Sequence, residues 1–110
     1  MIVYPDVAKE TFEQNHTTVS HAGGQAKPPN VDVVFIENQY DPDPNDNHFE
    51  STILYLIRED GRFRLESDYH KLGLFTLEMW RASLSESGFR VFEEKYDGPD
   101  ATNLPVFVCR

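Results

Sequence analysis

The dipeptide Asp60-Gly61 stands between two apolar-rich runs, and few short sequences limit the folding of a chain more tightly. Asp followed by Gly readily takes the positive φ angles of a type I′ turn, whose twist matches that of the strands it joins. The flanking runs are therefore predicted to pair antiparallel, with Leu56 opposite Leu65, Tyr55 opposite Glu66, Leu54 opposite Ser67 and Ser51 opposite His70. Strand alternation then sorts the side chains onto two faces. One carries Thr52, Leu54, Leu56, Phe63, Leu65 and Tyr69 and is the expected core face. The other carries Ser51, Ile53, Tyr55, Ile57, Arg64, Glu66, Asp68 and His70, a mixture that suits either the border of a cleft or a solvated sheet surface.

A helix follows at once. Thr76 is its expected N-cap, and Leu77, Trp80 and Leu84 recur at the spacing of one helical stripe. Phe75, just before the cap, is placed to staple onto Trp80. Gly88 stands where a left-handed residue would end the helix, and Phe89 beyond it is placed to fold back on Leu84.

Taken in order, Met1 to Tyr4 reads as a short buried strand ended by Pro5-Asp6, and Val7 to Phe12 as a brief turn or helix. Residues 13 to 30 are polar, contain Gly23-Gly24 and Pro28-Pro29, and follow neither the helical nor the strand period, so a long loop is expected. Val31 to Gln39 is a strand by its β-branched and aromatic content, able to join the hairpin as a third antiparallel strand. Tyr40 to Asn47 is a turn region of Asp, Asn and Pro. Past the helix, Arg90 to Tyr96 and Val106 to Cys109 are strand candidates separated by a loop. These elements predict one α+β domain: an antiparallel sheet made of the hairpin plus a third strand, one main helix and a few short strands.

Composition excludes several classes of partner. A chain of 110 residues fits a single domain, burying about two thirds of its unfolded surface. Eight Phe, five Tyr and one Trp make it a folding sequence rather than a disordered one. The net charge of −9 opposes nucleic-acid and anionic-membrane binding and favours a small neutral or cationic ligand or another protein. The single cysteine, Cys109, rules out an internal disulfide and a Cys-based zinc site. With no membrane-length apolar run and no leader pattern at the start, a cytoplasmic protein is expected.

Candidate sites are few. Asp41-x-Asp43-x-Asn45 imitates the start of a calcium loop, but Asp46 stands where Gly is needed and Thr52 where a bidentate Glu is needed. His16, His21, His48 and His70 are dispersed, with no helical pair at metal-ligand spacing, so no metal is expected. His21-Ala22-Gly23-Gly24 neither follows a predicted strand nor opens a helix, which argues against a phosphate loop. Asp68 and His70, two apart on one strand face, are close enough for the carboxylate to orient the imidazole, and they form the best catalytic candidate.

The order Tyr4-Pro5-Asp6-Val7, His21-x-Gly23-Gly24, Tyr40-Asp41-Pro42-Asp43-Pro44-Asn45-Asp46, Leu56-Ile57-Arg58-Glu59, then His70-x-Leu72-Gly73-Leu74-Phe75, Trp80 and Ser87-Gly88-Phe89 resembles the C-terminal half of class I S-adenosylmethionine-dependent methyltransferases. The similarity is to the small-molecule branch, which includes sugar N-methyltransferases. It implies a doubly wound Rossmann-like sheet, with Ile2 to Tyr4 at the fifth strand, the Thr76 to Ser87 helix before the sixth, and Val106 to Cys109 at the reversed seventh. Val31 to His70 then corresponds to an antiparallel insertion that caps the substrate site. In that setting Asp68 and His70 are the catalytic candidates, and Tyr55, Glu66 and His21 contact the substrate.

The glycine-rich loop and the ribose-binding acidic residue of the family have no counterpart in these 110 residues. In a doubly wound sheet the cofactor sits over the first-half loops, so the chain alone is expected to bind no S-adenosylmethionine and to be inactive. The exposed edge of the fifth strand implies a partner: a homodimer, or a complementary N-terminal half that restores S-adenosylmethionine binding.

Overall fold

The computed structural model describes residues 1–23, 30–99 and 101–110. Their element order is β1 (Ile2–Val3), β2 (His16–Gly23), β3 (Val31–Tyr40), β4 (His48–Glu59), β5 (Arg62–Gly73), α1 (Leu77–Glu86), β6 (Val91–Lys95) and β7 (Pro105–Cys109). The fold is α+β, with antiparallel sheets and one helix among the described residues. They gather into two compact units, Met1–Phe12 with Leu74–Arg110, and Glu13–Gly73. No helix among the described residues is long and apolar enough to cross a membrane.

The hairpin forms as its turn dictates. Asp60 and Gly61 have φ of 51° and 80°, and all four expected cross-strand pairs are in register. The Asp60 amide also donates to the Asn30 carbonyl at 2.9 Å, tying the turn to the start of β3. β3 lies antiparallel on β4, which makes the expected third strand.

A fourth strand lies where a loop was expected. Residues 16–23 pair with β3 over the whole of β2, giving the order β2-β3-β4-β5. Every residue of β2 is exposed, so neither face selects apolar side chains and the period-two signal is missing from the sequence. Pairing with β3 makes it a strand, with one side-chain bond added from Asn38 Nδ2 to Thr17 Oγ1 at 2.9 Å. Gly23 closes the pairing at φ 101°, where a Cβ would stand 1.9 Å from the Val31 carbonyl oxygen. Gly24, Pro28 and Pro29 of the expected loop, and Asp100 of the later one, lie outside the described residues.

The assignment of the sheet's core face is reversed. Phe63, Leu65 and Tyr69 on the expected core face are 54%, 56% and 55% exposed, whereas Phe49, Ser51 and Ile53 on the mixed face are buried. Alternation fixes which residues share a face but not which face is covered. Within this unit no second layer of the described residues lies over the aliphatic side.

In the other unit β7 lies between β1 and β6 and runs antiparallel to both. Leu84, Phe107 and Cys109 are buried there, with Val3, Leu77, Trp80, Phe89 and Val91 packed around them. Both helix ends follow the sequence. Thr76 Oγ1 accepts from the Met79 amide at 3.1 Å, and the Phe75 and Trp80 rings meet edge to face at 6.1 Å. Gly88, at φ 95°, completes a Schellman ending in which its amide donates to Ser85 O and that of Phe89 to Leu84 O.

Candidate functional site

The mixed face of the four-stranded sheet concentrates the polar chemistry of its unit. Pairing across β3, β4 and β5 sets three rows on it: Gln39, Ser51 and His70; Glu37, Ile53 and Asp68; Phe35, Tyr55 and Glu66. Each row holds at least one group able to donate or accept a proton. The rows follow from β-sheet register, so strands far apart in sequence bring their side chains onto one surface.

Asp68 Oδ2 lies 3.0 Å from His70 Nε2, with both side chains about half exposed. The second oxygen, Oδ1, accepts from the Tyr69 amide at 3.0 Å, which fixes the carboxylate plane. With Nε2 protonated, the imidazole donates to the carboxylate and presents Nδ1 as a base. This is the arrangement expected from the sequence spacing, and it is suited to taking a proton from an amine or a hydroxyl.

Behind it, buried Ser51 donates from Oγ to Glu37 Oε2 at 3.0 Å. Ser51 is directly opposite His70 and Glu37 lies in the row of Asp68, so this bond joins the same two rows as the Asp68–His70 pair. Sequence reading had not singled out Glu37. Its signal was a carboxylate within the apolar run VDVVFIENQ, but assigning its row required the β3–β4 register, which the intervening turn region does not reveal. Tyr55 packs edge to face on Phe35 at 5.3 Å, and Glu66 stands opposite it with Arg64 Nε 3.4 Å from its carboxylate.

His21 does not join them. It pairs with Val34 on the aliphatic face, while Tyr55, Glu66, Asp68 and His70 occupy the other. That separation is a correction to the expected grouping, and its reason is parity: β2 was read as a loop, so no face could be assigned to it. Tyr69 is also on the aliphatic face, where a hydrogen bond to the Glu50 carboxylate raises its hydroxyl pKa above the ordinary value.

The acidic turn serves the backbone. Asp41, Asp43 and Asp46 each accept from an amide two residues on, at 3.1, 3.0 and 3.0 Å. Gln14 clamps the same turn, donating to the Asp41 carbonyl at 2.8 Å and accepting from its amide at 2.7 Å. Among the described residues no three His, Cys, Asp or Glu side chains are grouped to hold a metal.

The helical unit has a cleft of about 610 Å³ lined in part by Leu77, Arg81, Glu93, Lys95, Tyr96 and Leu104. Arg81 spans to Glu93 through two bonds of 2.8 and 2.9 Å, which hold the Glu93 carboxyl below the usual carboxylate range. These two charges therefore satisfy each other rather than facing an open position. The N-terminus of α1 is likewise occupied, since the Leu77 amide donates to the Glu10 carboxylate at 2.9 and 3.2 Å.

No family model and no curated protein matches the sequence. The fold, however, has solved counterparts. Streptomyces venezuelae DesVI superimposes with a TM-score of 0.76 at 20% identity, over 98% of this chain and 42% of its own length. CalS10, an amino pentose methyltransferase of Micromonospora echinaspora solved with S-adenosylmethionine bound, gives 0.76 at 14% identity over 98% and 42%. KedS8, a sugar N-methyltransferase of Streptoalloteichus, gives 0.74 at 18% over 98% and 40%. At these identities the likeness is one of fold. The chain therefore has a methyltransferase-like fold and spans less than half the length of those structures.

Proposed function

We propose that these 110 residues are the C-terminal, substrate-side portion of a small-molecule methyltransferase, a cap and oligomerisation module that transfers no methyl group by itself. The observation that carries this reading is the superposition on S-adenosylmethionine-bound CalS10, which takes in nearly all of this chain but only 42% of that one. The polar sheet face is the substrate side. Asp68 and His70 take up the proton of an amine or hydroxyl, and Tyr55 and Glu66 shape the ground around it, Glu66 favouring a cationic amine by its charge.

The residues present do not fit S-adenosylmethionine. Among the described residues the one helix N-terminus already holds Glu10, and Arg81 and Glu93, two of the charges lining the cleft, pair with each other. A complementary half carrying the cofactor site completes the enzyme in the second form of this proposal, docking at the outer edge of β1, where Ile2 is 71% exposed and β7 is the only neighbouring strand among the described residues. A second copy of the chain is the other partner.

Calorimetric titration of the purified chain with S-adenosylmethionine tests the reading. No heat of binding is expected, and micromolar affinity for the chain alone would overturn it. Should a cofactor-binding half reconstitute methyl transfer, His70→Ala is expected to lower kcat by about 10²-fold or more, the contribution of a general base. Unchanged turnover would remove His70 from the site.

A further inference from the structure

The three-stranded sheet of the helical unit has a covered side and an open one. α1 packs on the side of Val3, Val91, Phe107 and Cys109. Strand alternation turns Ile2, Phe92 and Val108 the other way, and pairing sets these three in one row across β1, β7 and β6. Ile2 is 71% and Phe92 44% exposed, so both ends of this apolar row are open.

The next row along the sheet holds two arginines. The Arg90 amide donates to the Arg110 carbonyl at 2.8 Å and the Arg110 amide to the Arg90 carbonyl at 3.0 Å. The two residues therefore stand directly opposite each other in a hydrogen-bonded pair, with Cα atoms about 5.5 Å apart. Each guanidinium carbon lies 5.8 Å from the centre of the Phe92 ring, so both side chains reach along the open side toward the apolar row. Like charges directly opposite one another destabilise a sheet. A chain with 19 acidic and 10 basic side chains has carboxylates enough to neutralise such a pair, as Glu93 neutralises Arg81 on the covered side. Here none does: neither guanidinium has an ion-pair partner among the described residues. Glu94, the carboxylate of β6 on this side, stands two residues beyond Phe92 and away from the arginines.

We propose that Arg90, Arg110 and Phe92 form a binding site for a small phosphate monoester with an apolar or aromatic body. The two guanidiniums hold the phosphate, and the row of Ile2, Val108 and Phe92 holds the body. A phosphate dianion presents its oxygens to both planar forks and removes the repulsion between them. An aromatic body lies offset on the exposed Phe92 ring. The net charge of −9 keeps large polyanions away. At physiological ionic strength the field of distant carboxylates is screened over about 8 Å, which leaves a small anion free to reach the pair. The site belongs to the helical unit and does not involve Asp68 or His70, so it stands or falls independently of the methyl-transfer reading.

Titration of the isotope-labelled chain with phenyl phosphate, followed by the backbone amide and arginine Nε–H resonances, tests the assignment. Saturable shifts centred on residues 90–92 and 108–110 are expected. Phenyl phosphate is expected to bind severalfold more tightly than inorganic phosphate, and phenol not to bind. Arg90→Gln and Arg110→Gln are each expected to weaken phenyl phosphate about tenfold or more, through loss of a charged hydrogen-bond donor. Arg90→Lys keeps the charge without the fork and should weaken it less. Phe92→Thr should bring phenyl phosphate down to the level of inorganic phosphate. Circular dichroism checks that each variant is folded. Shifts that do not saturate, that centre elsewhere, or that are unchanged in both Gln variants would overturn the site. Equal affinity for phenyl phosphate and inorganic phosphate would overturn the ester as its ligand. A lowered unfolding midpoint in the Gln variants with an unaltered titration would make the pair mere stem packing on Phe92, and would overturn the site as well.

Discussion

Removing the Ser51 hydroxyl tests whether the polar row behind Asp68 and His70 is structurally coupled. Ser51 is 1% exposed and its Oγ donates to Glu37 Oε2 at 3.0 Å, a hydrogen bond to a charged group on a half-buried carboxylate. Such bonds contribute about 1.5–3 kcal/mol when both partners are dry, and the residual access of water to Glu37 places the expected loss for Ser51→Ala nearer 1–2 kcal/mol. Glu37→Gln keeps an oxygen acceptor but discards the charge, so its cost should be smaller. The double variant should lose less than the sum of the two, leaving a coupling energy of about 0.5–1.5 kcal/mol. Urea titration followed by circular dichroism at pH 7 measures all four corners of the cycle. A Ser51→Ala cost within about 0.3 kcal/mol of zero, or strict additivity, would show that the bond does not couple β3 to β4 and would refute the argument.

The helical unit gives three further expected outcomes. Thr76→Ala deletes the cap on the Met79 amide and is expected to cost about 1 kcal/mol by urea titration, with Thr76→Ser close to wild type. Phe107→Ala, at a fully buried position of the β7 core, is expected to cost about 3–5 kcal/mol and to be the most damaging of these changes in thermal unfolding. The Arg81–Glu93 pair gives a pH signature. Because the folded Glu93 pKa is lowered by Arg81, its stabilisation is complete above the ordinary glutamate range and is lost as pH falls through the folded value. Exposure limits it to about 0.2–1 kcal/mol, and Arg81→Met should flatten that acid-side slope in a comparison of unfolding midpoints between neutral and acidic pH.

What could be read from the sequence was local and chemically marked. Asp60-Gly61 dictated a turn, a turn of fixed length dictated a register, and the register put Asp68 beside His70 without any knowledge of the rest of the chain. Thr76, Phe75, Gly88 and Phe89 specified both ends of α1 for the same reason, since each acts within a few residues of itself. β2 was hidden because His16 to Gly23 has no buried face, and a strand held by pairing rather than by burial leaves no trace in side-chain alternation. Glu37 was missed because its place depends on how β3 registers with β4 across the turn at residues 41–47, which is fixed by a clamp from Gln14 far upstream and by Asx turns.

The reversed faces of the sheet sharpen the functional argument. A lone antiparallel sheet normally turns its aliphatic side inward and its polar side to water. Here Phe49, Ser51 and Ile53 on the polar side are buried, and Phe63, Leu65 and Tyr69 on the aliphatic side are open. Enclosing a polar row has a desolvation cost, and Ser51 meets it by bonding Glu37. A polar row kept partly enclosed beside an ordered carboxylate–imidazole pair is a poor way to stabilise a sheet, and the proton-transfer role proposed for Asp68 and His70 would account for it. The aliphatic face needs no catalytic explanation, but it predicts behaviour in solution. Leu65→Lys should leave the circular dichroism spectrum unchanged, since a lysine stem lies along an exposed sheet as well as leucine does, and should reduce binding of a hydrophobic dye. Loss of the folded spectrum instead would mean that Leu65 belongs to a core, contrary to its 56% exposure.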